Sequence, residues 1–558
     1  FIRRDPRGPA GPMPLVGTGR MEHPSFNEDQ SLAKEAWAEA YRKGDSFWLA
    51  ADQQGIKSKI LNVPFVFPAD NLKNGLQLCA LGVPDLRGTT STFFVISDSF
   101  SDAEQKSRLS GGENVPIQFD AGDTGSVNMP GPRDVRVKFG SEGAYTEVPL
   151  KVSVDRKGQQ GTAEVNGRKV ELQQGQWSEW LEWDFKLTQD YHVHSITRFY
   201  PLEIGQKVRI YMSCQQFHPE KPFIPFSTPP EYTKELKDRY GLYKTIGWAY
   251  DTHALRQDGL TEDAFLGDVA YTMGWREKLT LDEIERGNFD LLVSVWTATD
   301  RVGHMFWRFR DPKHPLYDPV GAEKYGKALE NCYKRCDEIV GNVMAKLEDT
   351  DTLMILSDHG FESWRTGFNV NTWLAEQGYL KISDPVKADR GFLMGMDWAN
   401  SQAYSVGLGS VYINEKGRET GGIVDKGESG NMIAEIKDRL LQVKDPVTGQ
   451  KVFTNVYTRD DYKGIAIEEA PDIALGYNRY FQSAKAAAKG AAPENMWEVN
   501  DDKWSGEHAA SDVAWIPGIF FCNRLVEKSD PNILDLGVTA LNLLECDVPS
   551  DFEGDPLV

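Results

Sequence analysis

Apolar and polar residues alternate with two different periods along this chain, and the changes of period divide it. From Gln30 to Asp52 apolar residues recur at helical spacing (Leu32, Ala36, Trp37, Ala40, Tyr41, Phe47, Trp48). Gly44 interrupts them, which predicts a helix, a break and a second short helix, with Gly55 as its C-cap. Residues 60–67 read as a strand leading into a loop, so this stretch is one helix–strand unit of an α/β layer. Between about 110 and 215 the period shortens to two. Segments 135–139, 148–154, 162–165, 180–185 and 208–212 alternate, and turns such as Lys157-Gly158 and Asn166-Gly167 separate them, which predicts an antiparallel sheet or sandwich. After Pro225 the helical period returns. Thr261 starts a helix that runs to about Gly287 with an interruption near Thr280. Residues 322–348 form an amphipathic helix whose apolar face (Tyr325, Leu329, Cys332, Cys336, Ile339 and beyond) covers a sheet. Shorter helices are expected at 370–377, with Gly378 as C-cap, at 432–443 and at 535–544.

Two continuous apolar runs, 291–296 and 351–357, read as buried strands of one parallel sheet. Further strands are expected at 402–414, 472–477 and 518–521. Residues 1–30, rich in Pro, Gly and Arg, read as an extended surface segment, and the Ala- and Lys-rich stretch 481–500 as a flexible flap. The fold class is α/β: a mostly parallel sheet sandwiched by helices, with an inserted antiparallel β domain. The expected boundaries are 1–109 for the first part of the α/β domain, 110–215 for the insertion and 216–558 for the main part.

At 558 residues the chain exceeds one ordinary domain. A formal charge of −21 argues against duplex nucleic acid or an anionic membrane as partner. It leaves room for a small anionic substrate at a site made positive by bound cations. The six cysteines are too scattered for a disulfide framework. No apolar run reaches about 18 residues, so no transmembrane segment is expected. The chain opens on Phe1-Ile-Arg-Arg rather than Met, which is compatible with processing or with a lost signal peptide. Cytoplasmic, periplasmic and secreted locations all stay open, as does a homo-oligomer.

The chemistry sits at the ends of the two apolar runs. The first ends in Asp300-Arg-Val-Gly-His304, where a spacing of four sets a carboxylate and an imidazole on one side of a helical turn. The second ends in Asp358-His359. A third candidate, His508, follows Gly506 ahead of another strand. Asp and His together suit Zn²⁺, with Mn²⁺ or Fe also compatible. Five such residues exceed one site with an open position, which points to two divalent metal ions, the arrangement that clamps attacking and leaving oxygens in phosphoryl transfer. His192 and His194 also alternate on one strand face, where a solvated or core-edge role is favoured over ligation. Glu507 and Asp512 are candidates for orienting His508, with a plain surface role favoured. Residues 83–88 read as a structural turn rather than a substrate loop.

Four motifs carry a resemblance: Asp300-Arg-Val-Gly-His-Met-Phe-Trp307, Ser357-Asp-His-Gly-Phe361, Phe368-Asn-Val-Asn-Thr-Trp-Leu374 and Trp504-Ser-Gly-Glu-His508. Together they resemble the alkaline phosphatase superfamily, and within it the type I phosphodiesterase/nucleotide pyrophosphatase family, over most of the chain outside the β insertion. The resemblance implies an alkaline-phosphatase-like fold and a two-metal phosphohydrolase acting on phosphodiester, nucleotide-type bonds. It implies that Asp300, His304 and His508 hold one metal and that Asp358 and His359 belong to the second. It also implies a phospho-enzyme intermediate on a Thr or Ser whose strand and helix, with a further Asp, lie upstream of residue 1. No internal strand–Asp substitute is visible. The alternatives are a phosphomonoester, phosphonate or sulfate ester hydrolase or a phosphomutase on the same scaffold, and a non-catalytic binding or assembly subunit.

Overall fold

The computed structural model describes residues 2–8, 11–16, 19–106, 109–138, 140–141, 143–464 and 467–558. The chain divides into two compact units. One holds Phe1–Gly17, Thr299–Ala540 and Val548–Val558; the other holds Thr18–Ala298 and Leu541–Asp547.

In the second of these, three strands run parallel: Leu76–Cys79, Ser58–Val63 and Leu291–Ser294, in that order, with Ser227–Thr228 antiparallel at the Leu76 edge. The helix Phe47–Gln53 precedes Ser58–Val63, and Gly55 ends it in the left-handed region (φ 89°), its N–H bonding the Asp52 carbonyl. The expected helix ahead of it is absent. Leu32–Lys34 and Trp37–Ala40 are strands instead, paired with Ser25–Phe26 and Gly19–Glu22. Pairing across the ribbon overrides the helical spacing, and the Arg20 and Lys34 cations cover the Trp37 ring, 5.1 and 4.6 Å from its centroid. The expected surface segment is therefore a set of short ribbons.

The β-rich region of this unit is antiparallel as the period of two requires. Thr124–Arg133, Tyr145–Asp155, Gln160–Val165 and Arg168–Gln173 form one sheet, and Leu181–Lys186, His192–Thr197 and Gln216–Phe217 another. Val148, Leu150, Val152 and Val154 alternate into the core against Trp183 and Phe185. Asn166 and Gly167 both take positive φ (51° and 76°), the conformation of a two-residue hairpin turn. A mixed sheet adds Phe93–Ser97, paired parallel with Gly112–Pro116 and antiparallel with Val208–Met212. The expected strand at 135–139 is absent: residues 135–138 turn over Asp134, whose carboxylate accepts from Arg136, and Phe139 lies outside the described residues. The helix Glu262–Glu285 runs without the expected interruption, because Thr280 is buried and its hydroxyl bonds that of Ser294 at 3.0 Å. Residues 83–88 are a turn closed on the Asp85 carboxylate, which accepts from the N–H groups of Arg87, Thr89 and Thr92.

The other unit has its own core around Phe368, Leu374, Tyr404, Ile413, Phe453 and Tyr477. Ala403–Ser405, Ser410–Ile413, Ile473–Tyr477 and Phe453–Thr458 form an antiparallel sheet. Glu362–Phe368 pairs parallel with Tyr480–Ser483 and antiparallel with Trp497–Val499 and Gly506–Glu507. Residues 481–500 are thus structured, with Ala484, Ala487, Ala491 and Ala492 buried, not a free flap. The expected long helix at 322–348 is two, Pro319–Tyr325 and Ala328–Met344, parted at Gly326. The strand ahead of Asp358, Met354–Leu356, pairs antiparallel with Phe520–Cys522. It is therefore not in the parallel sheet that contains Leu291–Ser294. Both strands are short and only half-buried rather than the fully buried runs their composition predicts.

Candidate metal centre

The helix Ala298–Phe306 carries Asp300 in its first turn and His304 one turn on. At its end the chain 503–506 is stitched across the open carbonyls. Ser505 N–H donates to the His304 carbonyl (2.7 Å), the Ser505 hydroxyl accepts from Arg308 N–H (2.9 Å), and an Arg308 guanidinium nitrogen donates to the Lys503 carbonyl (3.1 Å). The approach is so close that a Cβ on Gly506 would sit 2.6 Å from the Gly303 carbonyl oxygen. That contact brings His508, two residues on, against the helix.

Three donors converge. Asp300 Oδ2 lies 3.4 Å from His304 Nε2 and 3.3 Å from His508 Nε2. Asp300, His304 and His508 form a group of ligand atoms all within 4.8 Å of one another. His304 is 1 % exposed. Its Nδ1 lies 2.7 Å from the Gly506 carbonyl oxygen, which can only accept, so Nδ1 carries the proton. Nε2 of the neutral ring therefore presents a lone pair to a carboxylate oxygen that also presents one. Two acceptors at 3.4 Å repel unless a cation stands between them, and Asp/His₂ is a donor set of the kind that binds Zn²⁺. The residues present fit a divalent metal.

The surroundings stiffen this geometry. The Trp504 ring stacks on His304 at 3.7 Å and Phe361 meets it edge-on at 4.8 Å. The Trp504 indole N–H donates to Glu507 (2.8 Å), whose other oxygen accepts the His508 and Ala509 N–H groups. Glu507 therefore shapes the backbone under His508. Burial works against its charge, yet the His508 N–H and the Trp504 N–H help hold its carboxyl below the usual range. Asp512 is 1 % exposed, not a surface residue, and serves the neighbouring sheet: it accepts from Asn455 and Tyr457 at 2.9 Å. For Asp300, burial again opposes ionisation, but the Arg301 guanidinium 3.2 Å away favours the charge, and the carboxyl is held well below its ordinary value.

The Asp358-His359 pair lies beside this group. His359 stacks on His508 with ring centroids 3.5 Å apart and planes 10° from parallel. Its Nδ1 lies 2.9 Å from the Gly360 carbonyl oxygen, so here too Nε2 is the bare nitrogen, 3.4 Å from Asp358 Oδ2. Burial, with the His508 ring next to it, holds the His359 imidazole below its ordinary value. The Asp358 side chain is 74 % exposed. All five residues singled out in the sequence are thus near one another. Trp504, Gly506 and Arg301, which complete the setting, enter the sequence reading only as members of the motifs around Asp300 and His508, with no role given to them. His192 and His194 are elsewhere, in the β-rich unit.

The family model for type I phosphodiesterase / nucleotide pyrophosphatase matches residues 155–506, more than half of the chain. The chain belongs to that family, and with it to the alkaline phosphatase superfamily, which places it among phosphoester hydrolases. The match contains Asp300, His304, Asp358 and His359 and stops two residues short of His508. No curated protein and no solved structure matches the chain.

Proposed function

We propose that the protein is a two-metal phosphohydrolase that cleaves phosphodiester, nucleotide-type bonds. Asp300, His304 and His508 hold one divalent ion, and Asp358 and His359 contribute to a second. The observation that carries this reading is the convergence of His304 Nε2 and His508 Nε2 on Asp300 Oδ2, at 3.4 and 3.3 Å, with His304 Nδ1 tied to the Gly506 carbonyl. When bound, the ions supply positive charge to the phosphoryl oxygens and to the attacking and leaving oxygens. The chain's own residues then have distinct tasks. Asp300, held ionised, offsets one charge of the first ion. Trp504 and Phe361 fix the His304 ring and exclude water from its faces. Asp358, on the open side, faces incoming substrate and solvent. The cluster itself contains no hydroxyl, so it binds and neutralises rather than attacks. A chain of formal charge −21 needs such neutralisation to admit a phosphate ester. The test is metal analysis of the purified protein together with hydrolysis of bis(p-nitrophenyl) phosphate, p-nitrophenyl phosphate and a p-nitrophenyl sulfate. Two equivalents of zinc or manganese and preference for the diester support the reading. Metal-replete protein inert to all three esters sinks it in favour of a binding role.

A further inference from the structure

A separate cavity of about 20 Å³ lies in the Thr18–Ala298 unit, lined by Asn62, Lys244, Tyr271, Trp275 and Arg276 among others. Asn62 stands at the carboxyl end of the Ser58–Val63 strand with φ 60°, is 5 % exposed, and its amide nitrogen has no hydrogen-bond partner among the described residues. The indole nitrogen of Trp275, whose ring stacks on Tyr243 at 4.7 Å, has none either. Arg276 is 4 % exposed and donates only to neutral groups, the Val295 carbonyl (3.2 Å) and the Thr297 hydroxyl (3.4 Å). Among the described residues no carboxylate pairs with it. Lys244 is already matched: its ammonium donates to Asp268 and to the Ala249 carbonyl, both at 2.6 Å. Arg198, over the Tyr271 ring at 4.4 Å, also has no carboxylate partner among the described residues. The Asp251 carboxylate accepts from the Tyr211 hydroxyl and Ala254 N–H.

Arg276 is therefore a buried cation with no carboxylate paired to it among the described residues. A guanidinium keeps its proton at any ordinary pH, and a buried charge without a counter-charge is costly. Two orphan N–H donors and an unmatched Arg276 border one small space. A water needs about 10–15 Å³ on this scale, so the space suits a particle of about that size and is too small for phosphate or a carboxylate. We propose that it is a halide site, filled by chloride in ordinary media. Arg276 supplies the charge, Asn62 and Trp275 the neutral donors. The bound anion keeps Arg276 in place against Val295, just past the end of the Leu291–Ser294 strand.

The test uses the full chain in sodium gluconate, chloride and bromide at equal ionic strength. Chloride and bromide should raise the unfolding temperature by about 5 °C at a hundredfold excess over the dissociation constant. Asn62→Ala and Trp275→Phe should each remove at least half of that rise, while keeping the fold in gluconate. Should Arg276→Met fail to fold, crystals grown in bromide decide: an anomalous peak within hydrogen-bond reach of Arg276 and Asn62 supports the site. Equal stability in all three salts, or water with no bromide peak, overturns it.

Discussion

Among the described residues, the groups around His304 and around His218 both set histidines beside carboxylates, and only the first presents the donor set of a metal site. Around Asp300, the imidazoles of His304 and His359 use Nδ1 to donate to carbonyl oxygens and turn bare Nε2 atoms toward carboxylates. In the β-rich unit His218 does the reverse. Its Nδ1 accepts the N–H groups of Glu220 and Lys221, so Nε2 keeps the proton and donates towards Glu182, 3.4 Å away. His192 forms a 2.7 Å hydrogen bond to Asp184, and His194, with Asp184 at 4.0 Å, meets the His218 ring edge-on, centroids 6.3 Å apart. Residue types and separations are alike; the tautomer differs. One cluster faces lone pair to lone pair, the other is already satisfied. Ligand potential is thus decided by what the far side of each ring meets.

The comparison is most sharply tested by removing side chains. Asp300→Asn, His304→Ala and His508→Ala should each lower diester hydrolysis by at least about 100-fold and deplete bound metal. His192→Ala, His194→Ala and His218→Ala should leave both within about twofold, measured by initial rates and metal analysis. A drop of equal size in the second set would erase the distinction. Gly506→Ala is next in size. The added methyl meets the Gly303 carbonyl oxygen at 2.6 Å and displaces the acceptor of His304 Nδ1. Metal affinity should fall about 10–100-fold, with circular dichroism unchanged.

Chelation should have a smaller effect. Stripping metal held at a hundred times its dissociation constant removes about 2.7 kcal/mol, which should lower the first unfolding transition by about 5 °C. The same shift should appear in His218→Ala protein and vanish in Asp300→Asn. The smallest effect concerns pH. Burial pushes His218 down from 6.5 to about 4, although Glu182 opposes this. Above about pH 6.5 both folded and unfolded states are neutral there. As pH falls from 6.5 to 4 the unfolded state takes the proton first, so stability declines across that window and levels off below it. His218→Gln should flatten this slope by a few degrees of unfolding temperature. Asp300, depressed instead, contributes stability that is lost only at lower pH, below the ordinary carboxylate range.

Much of the site was legible in sequence because spacing is local. Asp300 and His304 share a helical turn, and Asp358 and His359 are adjacent. The tautomers were not legible, since the carbonyl that fixes His304 lies 202 residues along the chain. The β-rich region could be read because alternation and an Asn-Gly turn determine a hairpin by themselves. Residues 30–41 misled because Leu32, Ala36, Trp37 and Ala40 fit a helix equally well, and the partner strands Ser25–Phe26 and Gly19–Glu22 decide against it. Strand partnership was likewise beyond local reading: similar apolar runs ahead of Asp300 and Asp358 pair in different sheets, one parallel and one antiparallel.

The most direct measurement is an anomalous difference map at the zinc edge from protein purified with zinc. The account predicts an ion about 2.0–2.2 Å from Asp300 Oδ2, His304 Nε2 and His508 Nε2. A map with no ion there, and a His304 ring flipped to donate from Nε2 to Asp300, would contradict it.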